Sequence, residues 1–289
     1  MKSEMKNVVV TGVSTGIGHA IAGVLIKSNF HVFGSVRKKE DGVKLSRELG
    51  NGFTPLQFDI TDEKGVAAAA ELVRRELAGQ TLLGLVNNAG VAVFGPLMHL
   101  PIAEFRSQVE INLTGALIVT QAFLPLLGAD EKMAGKQGRI VNISSVGGKV
   151  ASPFLGPYNA SKFGLEGLSD SLRTELMLYG IDVIVIGPGA IATPIWEKAE
   201  HADMSRYDQT AFAEPLRKFG DYMFSQGKAG LPPERIGEKV LLALTTAHPK
   251  TRYAVVPNSF TGWTIPRLLP KRSLDKIYAK SLGLIHPKN

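Results

Sequence analysis

The sequence predicts one α/β domain built on a doubly wound parallel sheet. Three observations carry that prediction. Short β-branched runs alternate with longer helical patterns along the chain. The runs are apolar throughout, as strands covered on both faces must be. Glycine and polar residues collect where the runs end. Right-handed crossovers then open a ligand crevice outside the carboxyl ends of the strands, so chemistry is to be sought there.

Taken in order, NVVVTG is the first strand and GHAIAGVLIKS the first helix; HVFGSVR follows, with a helix through the 40s. FTPLQFDI pairs with the helix EKGVAAAAELVRREL, and LLGLVNNAG with the long EFRSQVEINLTGALIVTQAFLPLL. GRIVNISS, YNASKFGLEGLSDSLRTELM and IDVIVIGPG continue the rhythm, a helix begins near Pro233, and TRYAVVP is the last strand. Residues 128–138, GADEKMAGKQG, read as a surface loop because the pattern resumes directly after them. The domain spans 1–289, with 194–232 a lid within it and 259–289 a basic C-terminal extension.

The 289 residues are 44% hydrophobic and 20% charged, the balance of a globular protein. The N-terminus leads into a strand rather than an apolar leader, and no later run approaches a membrane span, so a cytoplasmic protein is expected. The absence of cysteine excludes disulfides, thiolate catalysis and thiolate zinc sites, and the six histidines form no HExxH pair, so no metal is expected. The net charge of +7 is local: residues 1–249 hold 25 basic and 25 acidic groups, whereas 250–289 hold eight basic groups against Asp275. With few aromatics such as Trp263 and Tyr278 to stack bases, that tail gives no nucleic-acid binder. It reads instead as a short helix capped by Ser273, with Leu274, Ile277, Tyr278 and Leu282 on one face. That face either packs on the protein or makes a weak peripheral contact with an anionic membrane.

The first strand runs into TGVSTGIG, where Gly12, Gly16 and Gly18 let the backbone approach a pyrophosphate at a helix N-terminus. The second strand ends in GSVRKKED, so Ser35, Val36 or Arg37 stands where an NAD site carries a carboxylate for the ribose. Arg37 can pair with a 2′-phosphate, which favours NADP(H) over NAD(H). Asp59 ends the third strand and Asn88-Ala89-Gly90 the fourth; each is a cofactor contact or a strand-end cap. The fifth strand delivers Ser144 and Ser145, and Tyr158 and Lys162 lie one turn apart on a helix.

Together these elements resemble the short-chain dehydrogenase/reductase family, and YNASKFGLEG with the later TRYAVVP and LLPKRSLDKIYAK resembles its steroid- and retinoid-acting branch. The resemblance rests on TGVSTGIG, Asp59, NNAG at 87–90, Asn112 in EINLTG, Ser145, Tyr158-x-x-x-Lys162 and PGAIAT at 188–193. It implies a Rossmann-like fold, hydride transfer between a nicotinamide and an alcohol/carbonyl substrate, and a homo-oligomer formed through the two long central helices. Asn112, Ser145, Tyr158 and Lys162 are the implied catalytic set, with Asn112 placing a water that relays protons to Lys162. The implied cofactor contacts are Gly12, Ser14, Thr15, Gly16, Ile17, Gly18, Arg37, Asp59, Ile60, Asn88, Ala89, Gly90, Tyr158, Lys162, Pro188, Gly189, Ile191 and Thr193. A free phenol has a pKa of about 10, so a neighbouring ammonium that favours the phenolate is part of the chemistry. After Thr193 come Ile195, Trp196, Tyr207, Phe212, Phe219, Tyr222, Met223 and Phe224, which suit a bulky apolar substrate or bury one another. The competing readings are an NAD-dependent dehydrogenase of the same fold and a non-catalytic dinucleotide sensor.

Overall fold

The computed structural model describes residues 6–194 and 203–286. The strands are β1 (Lys6–Val10), β2 (Phe30–Val36), β3 (Phe53–Gln57), β4 (Gly84–Asn87), β5 (Arg139–Ile143), β6 (Asp182–Pro188) and β7 (Arg252–Val255). They form one parallel sheet in the order β3-β2-β1-β4-β5-β6-β7. The winding reverses between β1 and β4, which sets the crevice at their carboxyl ends.

The helices are α1 (Gly16–Lys27), α2 (Lys39–Leu49), α3 (Glu63–Leu77), α4 (Ile102–Val109), α5 (Gly115–Phe123), α6 (Gly156–Glu175), α7 (Ala213–Lys228), α8 (Glu234–Thr245), α9 (Ile265–Leu268) and α10 (Lys271–Leu282). Successive strand residues point to opposite faces, and β1 shows why its run is apolar throughout. Val8 and Val10 join a core with Ile21 and Leu25 of α1 and Ile236 and Val240 of α8. Val9 faces the other core, with Val73 of α3, Phe123 of α5 and Leu172 of α6. The bounds of α3 match the pattern in the sequence because its ends are marked locally. The Asp62 carboxylate accepts from the Lys64 N–H at 3.2 Å, and Ala78 turns left-handed at φ 48°.

Two expectations are corrected. Ile102–Leu127 is one helical run of 26 residues, long and apolar enough by composition to cross a membrane, whereas no such run was expected. Charged residues at its start, Glu104, Arg106 and Glu110, mask the apolar stretch that follows. Val119, Phe123, Leu126 and Leu127 bury that stretch in the core of this fold. Secondly, Ser273 does not cap the last helix. Pro270 precedes it, and the Ser273 N–H already donates back to the Pro270 carbonyl at 2.9 Å. The apolar face of α10 divides: Leu282 packs beside Leu216 and Phe219 of α7, while Ile277 is 52% exposed.

Candidate active site

The glycine loop is built for close approach. Gly12 and Gly16 sit at φ 69° and 61°, where a side chain is strained. A Cβ on Gly18 would fall 2.1 Å from the Gly12 carbonyl oxygen. The first turn of α1 holds no acid and no side-chain cap, so its N–H groups face the crevice beside exposed Ser14 and Thr15, with Ile17 partly buried. Thr11, which the sequence reading passed over, ties the switch point together: its hydroxyl accepts from the N–H groups of Asn88 and Ala89 at 2.9 and 3.0 Å. The Asn88 amide donates to the carbonyls of Thr11 and Gly12 at 2.8 and 3.1 Å, so this side chain braces the loop.

At the end of β2, Ser35 is buried and accepts from the Gly12 N–H at 2.9 Å. The exposed residue that follows is Arg37, so the end of this strand offers a cation and no carboxylate. Asp59 accepts from both the N–H and the hydroxyl of Thr61, at 3.0 and 2.8 Å. The Thr61 N–H is the main reason its carboxyl lies below the usual range, with Arg37 adding to the effect. Ile60 is buried against Gly115 at the start of α5.

The chemical end gathers residues from β5, α6 and the loop after β6. Ser145 begins a single helical turn, and its hydroxyl accepts from the Gly147 N–H at 3.0 Å and faces the Pro188 carbonyl at 3.4 Å. A Cβ on Gly147 would lie 3.4 Å from the Tyr158 ring and 3.3 Å from the Ser145 hydroxyl, which shows how closely the three are packed. Ser144 is buried beneath them, its hydroxyl without a partner among the described residues. Lys162 is buried, with Nζ donating to the Ile143 carbonyl at 2.8 Å and lying 5.8 Å from the centre of the Tyr158 ring. Burial lowers the Lys162 pKa to about 8, against an opposing pull from Glu166. Burial raises the Tyr158 phenol, and the Ser145 hydroxyl pulls it back. A phenol so placed keeps its proton at neutral pH, which suits a proton donor.

Asn112 lies in a wide helical turn, Glu110–Thr114, between α4 and α5. Its amide donates to the Val91 carbonyl at 2.9 Å and to the Ser161 hydroxyl at 3.2 Å, while its oxygen accepts from the Val91 N–H at 2.9 Å. The Gln108 amide does the same work one turn earlier, bonding to Val91 and Val93. Sequence reading missed Gln108 because its partners lie across a loop and no motif marks it. After β6, Gly189 donates to the Val255 carbonyl, and Ile191 bridges to Leu231. Thr193 arrives beside Gly16, whose Cβ would sit 3.5 Å from the threonine Cβ. The loop thus closes over the start of α1. Of the aromatic segment that follows, Ile195 and Trp196 lie outside the described residues. Tyr207, Phe212, Phe219 and Met223 form one cluster with Phe154, Leu155 and Phe94, and Tyr158 packs on its edge. Tyr222 points outward, 54% exposed.

A glycine cradle at the switch point with a Ser-Tyr-Lys group beside it, Ser145 and Lys162 buried and Tyr158 half-buried, defines a nucleotide-dependent oxidoreductase of the doubly wound class. The short chain dehydrogenase family profile matches residues 6–203, and the chain belongs to that family. It is 42% identical over 278 residues to the NADPH-dependent 3-dehydrocapnine reductase of Ornithobacterium rhinotracheale, covering 96% of this chain and 98% of that one. It is 32% identical over 298 residues to the mitochondrial D-beta-hydroxybutyrate dehydrogenase of Bos taurus, covering 94% and 83%. The fold matches a short-chain dehydrogenase from Streptomyces avermitilis with a TM-score of 0.74 at 24% identity, over 96% of this chain and 95% of that one.

Proposed function

We propose that the protein is an NADPH-dependent reductase of a bulky apolar ketone or aldehyde. The observation that carries the reading is the Ser145, Tyr158, Lys162 group at the mouth of a glycine cradle whose ribose end offers Arg37 and no acid. The cradle fits a dinucleotide because side chains at Gly12, Gly16 and Gly18 would fill or strain the space. NADPH supplies the hydride when bound, and the relative at 42% identity is named for its dependence on it. When NADPH is bound, Arg37 would hold its 2′-phosphate, Thr193 and the 188–191 backbone would hold the nicotinamide end, and Asp59 would accept from the adenine amino group.

Tyr158 gives its proton to the carbonyl oxygen as the carbon is reduced, while Ser145 donates a hydrogen bond to that oxygen. Lys162 lowers the cost of the phenolate left behind. Asn112 and Ser161 keep this helix and the 91–93 loop in register, at the end from which Lys162 recovers a proton. The aromatic cluster on the edge of Tyr158 supplies an apolar wall for the substrate, in the manner of the steroid- and retinoid-acting branch. The test is NADPH oxidation against ketones and aldehydes graded by size, 3-dehydrocapnine among them. Large apolar carbonyls are expected to turn over best; efficient turnover of small polar ones alone overturns the substrate class.

Ile102 and Phe163 on the central helices are 63% and 41% exposed, and they suit a contact between copies of the chain. A dimer or tetramer is expected in sedimentation at micromolar concentration, and a monomer contradicts this. The tail presents Phe260, Leu268 and Ile277, all more than half exposed, beside Arg267, Lys271 and Lys276. Each basic group near an anionic surface contributes about 1 kcal/mol, enough for reversible peripheral contact by a protein otherwise working in the cytoplasm. Co-sedimentation with anionic vesicles, reversed by salt and lost on truncation near Asn258, is the expected result; absence of binding at low salt refutes it.

A further inference from the structure

Glu166 follows Lys162 by one turn, as Lys162 follows Tyr158, so the three share a line along α6. It is 4% exposed, and a carboxylate so deep needs cations. Arg252, at the start of β7, places Nε 3.0 Å from both of its oxygens and Nη2 3.0 Å from Oε1. Lys149 adds Nζ at 3.3 Å from Oε2. From the same Nη2, Arg252 donates to the carbonyl of Ser145 at 3.1 Å. The guanidinium crosses β6 at Gly187, where a Cβ would fall 2.3 Å from Nη2. Its carbon lies 4.1 Å from the centre of the Trp263 ring, which also carries Arg267 at 4.4 Å.

We propose that Arg252 and Glu166 are positioning residues for the reduction: Arg252, held by Glu166 and Trp263, fixes the Ser145 backbone, and Glu166 supplies the buried negative charge one turn along α6 from Lys162. The inference rests on the roles given above to Ser145 and Lys162. Its physical basis is that a bidentate arginine fixes position in two directions, so the Ser145 carbonyl is tied to a rigid fork and not to a loop. Among the described residues, Lys162 lies against the Tyr158 ring and is influenced by the Glu166 charge, while Lys149 and Arg252 pair with Glu166. Removing the anion therefore leaves two cations near Lys162, and removing Arg252 leaves the anion less offset. The two changes push Lys162 in opposite directions, which a purely structural salt bridge does not require.

The experiment compares Glu166→Gln, Arg252→Gln, Arg252→Lys and Trp263→Leu with the unmodified protein. It measures the pH dependence of kcat and, in cofactor-free protein with carbon-13 at the lysine ε positions, the NMR titration of Lys162, assigned with Lys162→Met. In the unmodified protein, where burial lowers the Lys162 pKa to about 8, the titration is expected there. Glu166→Gln is expected to move this titration and the alkaline limb of kcat down by about one unit, and Arg252→Gln to move both up. Arg252→Lys keeps the charge and loses the fork, so it holds the limb in place while kcat falls about tenfold, the size of one lost hydrogen bond. Trp263→Leu does the same without touching the ion pairs, which keeps the test open if a buried variant does not fold. Titrations that stay at the unmodified value, or move in the same direction in both neutral variants, overturn the inference. Because the NMR titration needs no turnover, that failure is distinct from failure of the catalytic reading, which active Tyr158→Phe protein would show.

Discussion

Tyr158→Phe lowers turnover by about 10²- to 10⁴-fold, the contribution of a general acid, while the protein melts and binds NADPH as before. The phenol is half-buried on the edge of the Phe154, Phe219 cluster, so the ring that remains fills the same space and only the acidic hydroxyl is lost. Steady-state kinetics with the best carbonyl, alongside a melting curve, check this. Turnover within a few fold of the unmodified protein would refute Tyr158 as proton donor. The pH dependence has a defined sign: Lys162 loses its proton as the pH rises through about 8, and with it the support for the phenolate, so reduction declines on the alkaline side.

Arg37→Ala weakens NADPH about ten- to a hundredfold and leaves NADH nearly unchanged. A charge-assisted hydrogen bond is worth about 1.5–3 kcal/mol, and only the phosphorylated ribose has the group to make it. The neighbouring acids Glu40 and Asp41 open α2, and neither replaces a carboxylate at the end of β2, where Ser35 is occupied by the Gly12 N–H. Fluorescence titration of each cofactor measures the effect. An equal loss for both, or tighter NADH than NADPH before mutation, contradicts the assignment.

Much of the architecture was legible because it is encoded locally. The apolar runs of β1 and β5 and the glycines of 12–18 each declare themselves within a few residues. The one-turn spacing of Tyr158 and Lys162 was equally plain. What escaped notice depends on partners distant in the chain. Glu166 and Arg252 lie 86 positions apart and meet because β7 pairs with β6. Thr11 reaches Asn88 and Ala89 across the switch point, and Asn87 donates to Asn142 and Thr120 in the buried centre of the sheet. Asn112 was legible as a motif residue, but not its engagement with Val91 and Ser161, which follows from the wide turn in which it sits. The tail was the hardest part: its apolar positions follow a helical period, and only packing against α7 shows that Leu282 goes inside while Ile277 does not.

The central claim is that hydride moves from NADPH to a carbonyl carbon placed against Tyr158 and Ser145. The most direct measurement is mass spectrometry of the alcohol formed by the unmodified protein from an apolar ketone and NADPH deuterated on the transferable nicotinamide position. The account predicts one deuterium on the carbinol carbon, formed at a rate that Tyr158→Phe lowers by about 10²- to 10⁴-fold. NADPH bound tightly with no labelled alcohol from any carbonyl in the series would contradict it and leave a dinucleotide-binding protein without this chemistry.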